Sequence, residues 1–405
     1  MKNQQAYIAD FLRSPVSNVR KGKSAYTGIH PVDLSSVPVK EIVRRNNLTP
    51  DLIDELRWAV TTPIGKQWKI GRFIAIVGLS EKVPGSLELR EGSSGVDAVV
   101  SGIGRISLGL GNLIIAGGSE DMSIVPLGAD GYPIVDDEEI LKRTKEKGVQ
   151  IVRESLPESF LKNHDFKTTL ESAEIIAKKW GLTRKELDEF ALESHKKASA
   201  AWDKGFFEKE VLPIQTTSGL FKQDDGVRKD IKLEKLEKLN PIFQDGLITP
   251  GNASPLSVGA SCILISSEDY IQKYNLTRRA KLIGYSVVGT NVEEQLTGPI
   301  YAIPKALENA GLELKDIDLF QISEAFASEV LATQKELKLP PEKINVNGGQ
   351  ISIGHPPGAT GINLIISGIN ELERRVASSE SNNKYLLVTL CIGFGQGVAA
   401  IFERV

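Results

Sequence analysis

Apolar residues in this chain fall into two kinds of run. Short continuous runs at residues 6–10, 56–60, 112–116, 261–266, 281–289, 318–322, 385–390 and 398–403 are bounded by glycine or polar residues and predict strands. Residues 86–90 alternate as a half-buried strand does. Helical spacing is found over 37–46, 51–55, 167–180, 183–202 and 362–372, and in Val96, Val99, Val100, Ile103 and Ile106. Thr183 with Glu186 three residues on forms a capping box, and Pro299 suits the first turn of a further helix. Strands alternating with helices of this length predict βαβ units and a largely parallel sheet covered on both faces.

The turns carry the candidate chemistry. In the stretch 345–361, two glycines precede a small-residue run and His355 is followed by two prolines and two more glycines. Such a backbone turns sharply and feeds a helix N-terminus, where outward N–H groups favour negative charge. Taken alone, His355 reads as a loop histidine satisfied by a neighbouring carbonyl. The cluster at 91–95, between a strand and a helix, is a second turn of the kind that presents a nucleophile. Residues 391–397 (CIGFGQG) form a third; a strand follows it, so it is not a dinucleotide-binding fingerprint. Cys262 sits inside an apolar run and reads as a small buried hydrophobe. Residues from about 125 to 244 are richer in Lys and Glu.

The chain has 405 residues, room for two or three domains. Its 49 basic and 52 acidic residues leave no nucleic-acid or polybasic membrane footprint. Two cysteines are too few for a disulfide framework and suit a reducing cytoplasm. No apolar run reaches membrane-span length, the N-terminus has no signal-peptide pattern, and no set of metal ligands stands out.

Five motifs resemble those of the thiolase family. Residues 345–361 resemble NGGAIALGHPIGASG, Gly117–Ser123 resembles AGGMESMS, Gly251–Ala260 resembles GNASGINDGAAA, Ser323–Ala327 resembles NEAFA, and Cys391–Gly397 resembles CIGGGMG. This resemblance implies a duplicated thiolase fold of five layers, αβαβα, with an inserted loop domain. The halves would be 1–124 with 245–272 and 273–405, and the CoA-binding loop domain 125–244. It implies that Cys391 is the acid/base, that His355 donates to a thioester oxygen, and that Ser323 stands where the family's Asn holds a catalytic water. Arg228, Ser254, Gly393 and Gly395 become candidates for contacting coenzyme A. The family's nucleophile turn, NRxCxSGLQA, aligns with residues 89–98 and places Gly92 where the nucleophilic cysteine belongs. Ser93 and Ser94 fall at positions that are not catalytic in the family. No covalent acyl adduct is therefore expected, and the CoA thioester enters as substrate, not as a bound cofactor.

Three functions remain open. One is acetyl-CoA C-acyltransferase-type Claisen or retro-Claisen chemistry; the second is carbon–carbon lyase chemistry without an acyl-enzyme, as in thiolase-like aldolases that work with a small partner protein; the third is a non-catalytic acyl-CoA-binding scaffold. Family precedent implies a homodimer or homotetramer. A cysteine beside His355 is expected to have a lowered pKa.

Overall fold

The computed structural model describes residues 4–124, 156–378 and 383–405. Residues 125–155, which open the lysine- and glutamate-rich segment, lie outside the described residues, as do the first three.

The strands are β1 (Ala6–Arg13), β2 (Glu55–Ala59), β3 (Gly85–Glu88), β4 (Leu113–Asp121), β5 (Ser257–Ser267), β6 (Ala280–Gly289), β7 (Leu319–Ile322), β8 (Tyr385–Ile392) and β9 (Gln396–Arg404). They run in the order β7-β8-β9-β6-β1-β5-β4-β2-β3, with residues 17–18 pairing at the end of β5. The order divides into two matching halves. In the first, β1, β5, β4 and β2 are joined antiparallel, antiparallel and parallel; in the second, β6, β9, β8 and β7 repeat that sequence of senses. A single pair, Ile8 with Ala280, joins the halves edge to edge. Residues 393–395 turn β8 into β9, whereas β4 and β5 at the equivalent place are separated by 122–256. The long polar segment is thus an insertion into one copy of a duplicated unit.

The principal helices are α1 (Pro31–Arg45), α2 (Ile70–Ile74), α3 (Ser94–Ser107), α4 (Thr169–Lys179), α5 (Arg184–Asp203), α6 (Gly298–Ala310), α7 (Ala327–Leu337) and α8 (Pro357–Ala377). Alternate residues of the buried strands face different layers. Ile114 and Ala116 of β4 join α3 and α8 in a central core that also takes Val388 of β8 and Ala400 of β9. Leu113 and Ile115 turn to the outer layer with α1 and α2. Leu387 and Ile401 do the same on the other half, against α6 and α7. The layers therefore run helix, sheet, helix, sheet, helix, and burial on both faces is why these strands read as unbroken apolar runs. No helix among the described residues is long and apolar enough to cross a membrane.

Three expectations are corrected. The sheet is mixed, not largely parallel, because the three-residue turn at 393–395 forces β8 and β9 antiparallel; parallel neighbours need a crossover. Residues 51–55 are not a helix: Pro50–Leu52 is a single 3-10 turn and Glu55 opens β2. Helix α1 begins at Pro31, earlier than residue 37, and carries Pro38 inside, its apolar face burying Leu34, Val39 and Ile42.

Candidate active site

The motif-bearing turns come together at strand ends. Gly92 lies just before α3, Cys391 near the end of β8, and Ser323 directly after β7, its N–H donating to Thr389 O at 3.0 Å. That bond and the β7–β8 pairing of Ile322 with Thr389 set Ser323 beside the strand that carries Cys391. A Cβ built on Gly92 would stand 3.1 Å from the carbonyl oxygen of Cys391 and, its two chain neighbours aside, within 4 Å of nothing else among the described residues. The two positions are close neighbours, and a side chain at 92 would press on that carbonyl.

The loops at 252–254 and 325–327 are zipped together. Ser254 N donates to Ala325 O and Ala327 N to Asn252 O, each at 2.9 Å. Asn252 is held in turn by its Nδ2 on Asp188 Oδ1 at 2.9 Å. Helix α8 docks closely on β4: a Cβ on Gly118 would fall 2.0 Å from Gly358 O, so glycine is required there.

His355 is fixed from both ends. Its N–H donates to Ser257 Oγ at 3.0 Å, and its Nδ1 lies 2.8 Å from Thr360 Oγ1. The ring is half-buried, and desolvation lowers its pKa to about 4. His355 is therefore a neutral imidazole at physiological pH. The Thr360 hydroxyl has one proton and two acceptors in reach, Nδ1 and, at 2.9 Å, Pro356 O. Given to Nδ1, that proton leaves the ring's own on Nε2, the tautomer an oxyanion donor needs.

The helix N-terminus behind His355 is already occupied. Gly358 N donates to Glu120 Oε2 at 3.1 Å, and the same buried carboxyl accepts from Thr61 N, Thr61 Oγ1 and Gln67 Nε2. The negative charge favoured at that terminus is supplied by the protein itself.

Cys391 departs from expectation. It is half-buried, and burial followed by the adjacent Glu329 carboxyl pushes its thiol well above the usual range. The expected lowering fails because burial disfavours a thiolate, the adjacent acid is a carboxyl whose ionised form would repel one, and His355 is neutral. Glu329, wholly buried in the first turn of α7, accepts the Cys391 N–H at 3.1 Å, and burial pushes it up to about 8. Sequence reading missed the parts that Glu120 and Glu329 play; a lone carboxylate in a strand or helix gives no sign of burial.

Ser93 and Ser94 are both buried and tied locally. Ser93 Oγ donates to Arg90 O at 3.0 Å and Ser94 Oγ to Glu91 O at 2.6 Å. Cys262 is buried in β5, where desolvation raises its pKa. Arg228 is exposed and lines a cavity of about 510 Å³ with Lys229 and Lys235. Its N–H donates to His195 Nδ1 at 3.2 Å. A Cβ on Gly393 would sit 3.3 Å from Glu91 Cγ, and one on Gly395 would sit 2.8 Å from the carbonyl oxygens of Thr290 and Asn291. His30 caps α1 by accepting the N–H of Val32.

Residues 6–269 match the family model "Thiolase, N-terminal domain" and residues 276–404 match "Thiolase, C-terminal domain". The chain belongs to the thiolase family. It is 35% identical over 417 residues to a 3-ketoacyl-CoA thiolase of Bacillus subtilis, with 99% of each chain covered. It is 35% identical over 402 residues to a steroid 3-ketoacyl-CoA thiolase of Mycobacterium tuberculosis, covering 99% of this chain and 94% of the relative. Among solved structures it is similar to the Bacillus anthracis acetyl-CoA acetyltransferase, with a TM-score of 0.86 at 31% identity and full coverage of both chains. It is also similar to human mitochondrial 3-ketoacyl-CoA thiolase in complex with CoA, with a TM-score of 0.84 at 30% identity, covering 99% of this chain and 98% of that one. The duplicated sheet order and the long insertion after β4 are thus the thiolase fold.

Proposed function

We propose that this chain is a thiolase-family enzyme of CoA thioesters that makes or breaks a carbon–carbon bond through a thioester enolate, without an acyl-enzyme. The observation carrying this reading is the juxtaposition of Gly92 and Cys391: the position of the family's nucleophile has backbone alone, while the acid/base position keeps its thiol. Neutral His355 donates to the enolate oxygen, and Cys391 exchanges the α-proton. Ser323 is the water position. Neither Ser93 nor Ser94 replaces the missing thiol. Each hydroxyl is engaged with backbone, and Asp97, 3.2 Å from Ser93 Oγ, is already taken by Arg90 and Tyr285.

Arg228 and its basic neighbours suit CoA phosphates, and Ser254, Gly393 and Gly395 belong to the turns that would border the thioester. The described part of the inserted segment, residues 156–244, would serve as the cover of that site. A homodimer is favoured by edge strand β3, where Leu87 is exposed beside Phe73, Ile76 and Val77.

Acetoacetyl-CoA thiolysis by the wild-type chain and by Gly92→Cys, with CoA binding by calorimetry, tests the reading. Both proteins should bind CoA, and only the variant should catalyse thiolysis. Thiolysis by the wild-type chain, or no CoA binding, would overturn it.

A further inference from the structure

Beside Cys391 lies a buried acid with no part in the chemistry so far. Glu329 has no solvent exposure; its Oε1 accepts the Cys391 N–H, and its Oε2 has no hydrogen-bond partner among the described residues. A bare carboxylate oxygen buried without a donor is costly, whereas a protonated one carries its own donor. The Cys391 thiol is the acid that interacts with this carboxyl. Two acids enclosed side by side resist ionising together.

We propose that Glu329 is a positioning residue for Cys391, acting as the proton store that keeps it a thiol and restores that thiol after each proton delivery. This rests on Cys391 being the proton donor to the enolate. In the cleavage direction the enolate carbon takes the Sγ proton: a C–H bond forms as the S–H bond breaks, leaving a thiolate. The S–H bond then re-forms as the Glu329 O–H bond breaks, and the resulting carboxylate regains a proton from water. The site is thereby biased toward protonating a released enolate.

The surroundings favour a shared proton. Glu324, also buried, adds negative potential at Glu329 and is itself held by Ser194, Asn345 and the Ile351 N–H. Glu91 lies across Gly393, and His355 is neutral. On the elements packed against α7, Glu174 of α4 is taken by the N–H groups of Leu247 and Ile248, Asp188 of α5 by Arg184 and Asn252, and Glu294 by Lys179. Lys305 and Glu308 of α6 are exposed to solvent.

Iodoacetamide alkylation of Cys391, followed against pH by peptide mass spectrometry on the full chain, reads the thiolate without needing a substrate. Fully buried Cys262 is the internal reference. The wild-type midpoint is expected above 9.0, the ordinary value for a thiol. Glu329→Gln keeps an acceptor for the Cys391 N–H but loses the charge. It should lower the midpoint by about one pH unit, a roughly tenfold faster alkylation in the rising part of the curve. Glu329→Asp should keep the midpoint high. A wild-type midpoint at or below the ordinary value, or a Gln profile superimposed on the wild type, overturns the proposal, and the first of these needs no variant. An intact alkylation shift in a protein with no activity on CoA thioesters would sink the functional reading and leave the pair standing.

Discussion

Gly92 faces the backbone carbonyl of Cys391 so closely that a Cβ would stand 3.1 Å from that oxygen, with no other described residue beyond its chain neighbours within 4 Å. Because Gly92 is not among the residues at positive φ, a side chain there meets no left-handed strain. Gly92→Cys therefore needs only a small shift of the Cys391 carbonyl and should fold with a loss of about 1–2 kcal/mol, read by denaturant unfolding. A loss several times larger would mean that the carbonyl cannot give way.

The tautomer of His355 depends on Thr360. Thr360→Val removes the hydroxyl 2.8 Å from Nδ1 while keeping the shape of the side chain. Turnover should fall about tenfold to a hundredfold with KM for the CoA thioester nearly unchanged, since the lost orientation matters to the oxyanion donor and not to ground-state binding. A change in KM alone would contradict this role.

The imidazole also predicts a pH dependence. The pKa of His355 is about 4 in the folded state against 6.5 when free, so the folded state disfavours the proton that the unfolded chain accepts. Its stabilising contribution is present above pH 6.5 and is lost as pH falls toward 4. His195, lowered by burial and then by Arg228 to the same value, contributes alike. Unfolding of His355→Gln should lose part of this acid limb, while a double change with His195 should lose most of it. Parallel curves for wild type and variants would contradict the assignment.

Glu329 has the opposite sign. Its folded pKa of about 8 lies above 4.5, so its contribution is full below pH 4.5 and fades as pH climbs through 8. Glu329→Gln should flatten that decline, gaining stability relative to wild type on the alkaline side and not on the acid side. Equal differences at both ends would show a purely structural effect.

Glu120 satisfies Thr61, Gln67 and the N-terminus of α8 at once. Glu120→Leu strands those donors in the interior and should cost about 3–5 kcal/mol in unfolding free energy. A cost below about 1 kcal/mol would show that water or neighbouring groups replace the carboxylate.

Much of the fold was legible because β4 and β8 are apolar on both faces, and strands of that composition have few places to go but a covered sheet. Thr183 and Glu186 formed the capping box that their spacing requires. The mixed sense of the sheet was less visible, since it depends on which strands the turn at 393–395 and the insertion after β4 bring together. The site was legible as turns but not as electrostatics. Glu329 lies 62 residues from Cys391 in sequence, and only folding sets its carboxyl on that thiol. Helix α2 and Gln67 were also missed, because the apolar run at 70–79 (IGRFIAIVGL) is too short and too uniformly apolar for its spacing to tell helix from buried strand.

The central claim is that this site handles the enolate of a CoA thioester while holding no acyl group. Deuterium incorporation into the methyl group of acetyl-CoA in heavy water, followed by mass spectrometry alongside the intact mass of the protein, tests both parts at once. The predicted result is exchange that is lost in Cys391→Ala, with the wild-type protein mass unchanged. No exchange by the wild type, or a protein one acetyl group heavier, would contradict it.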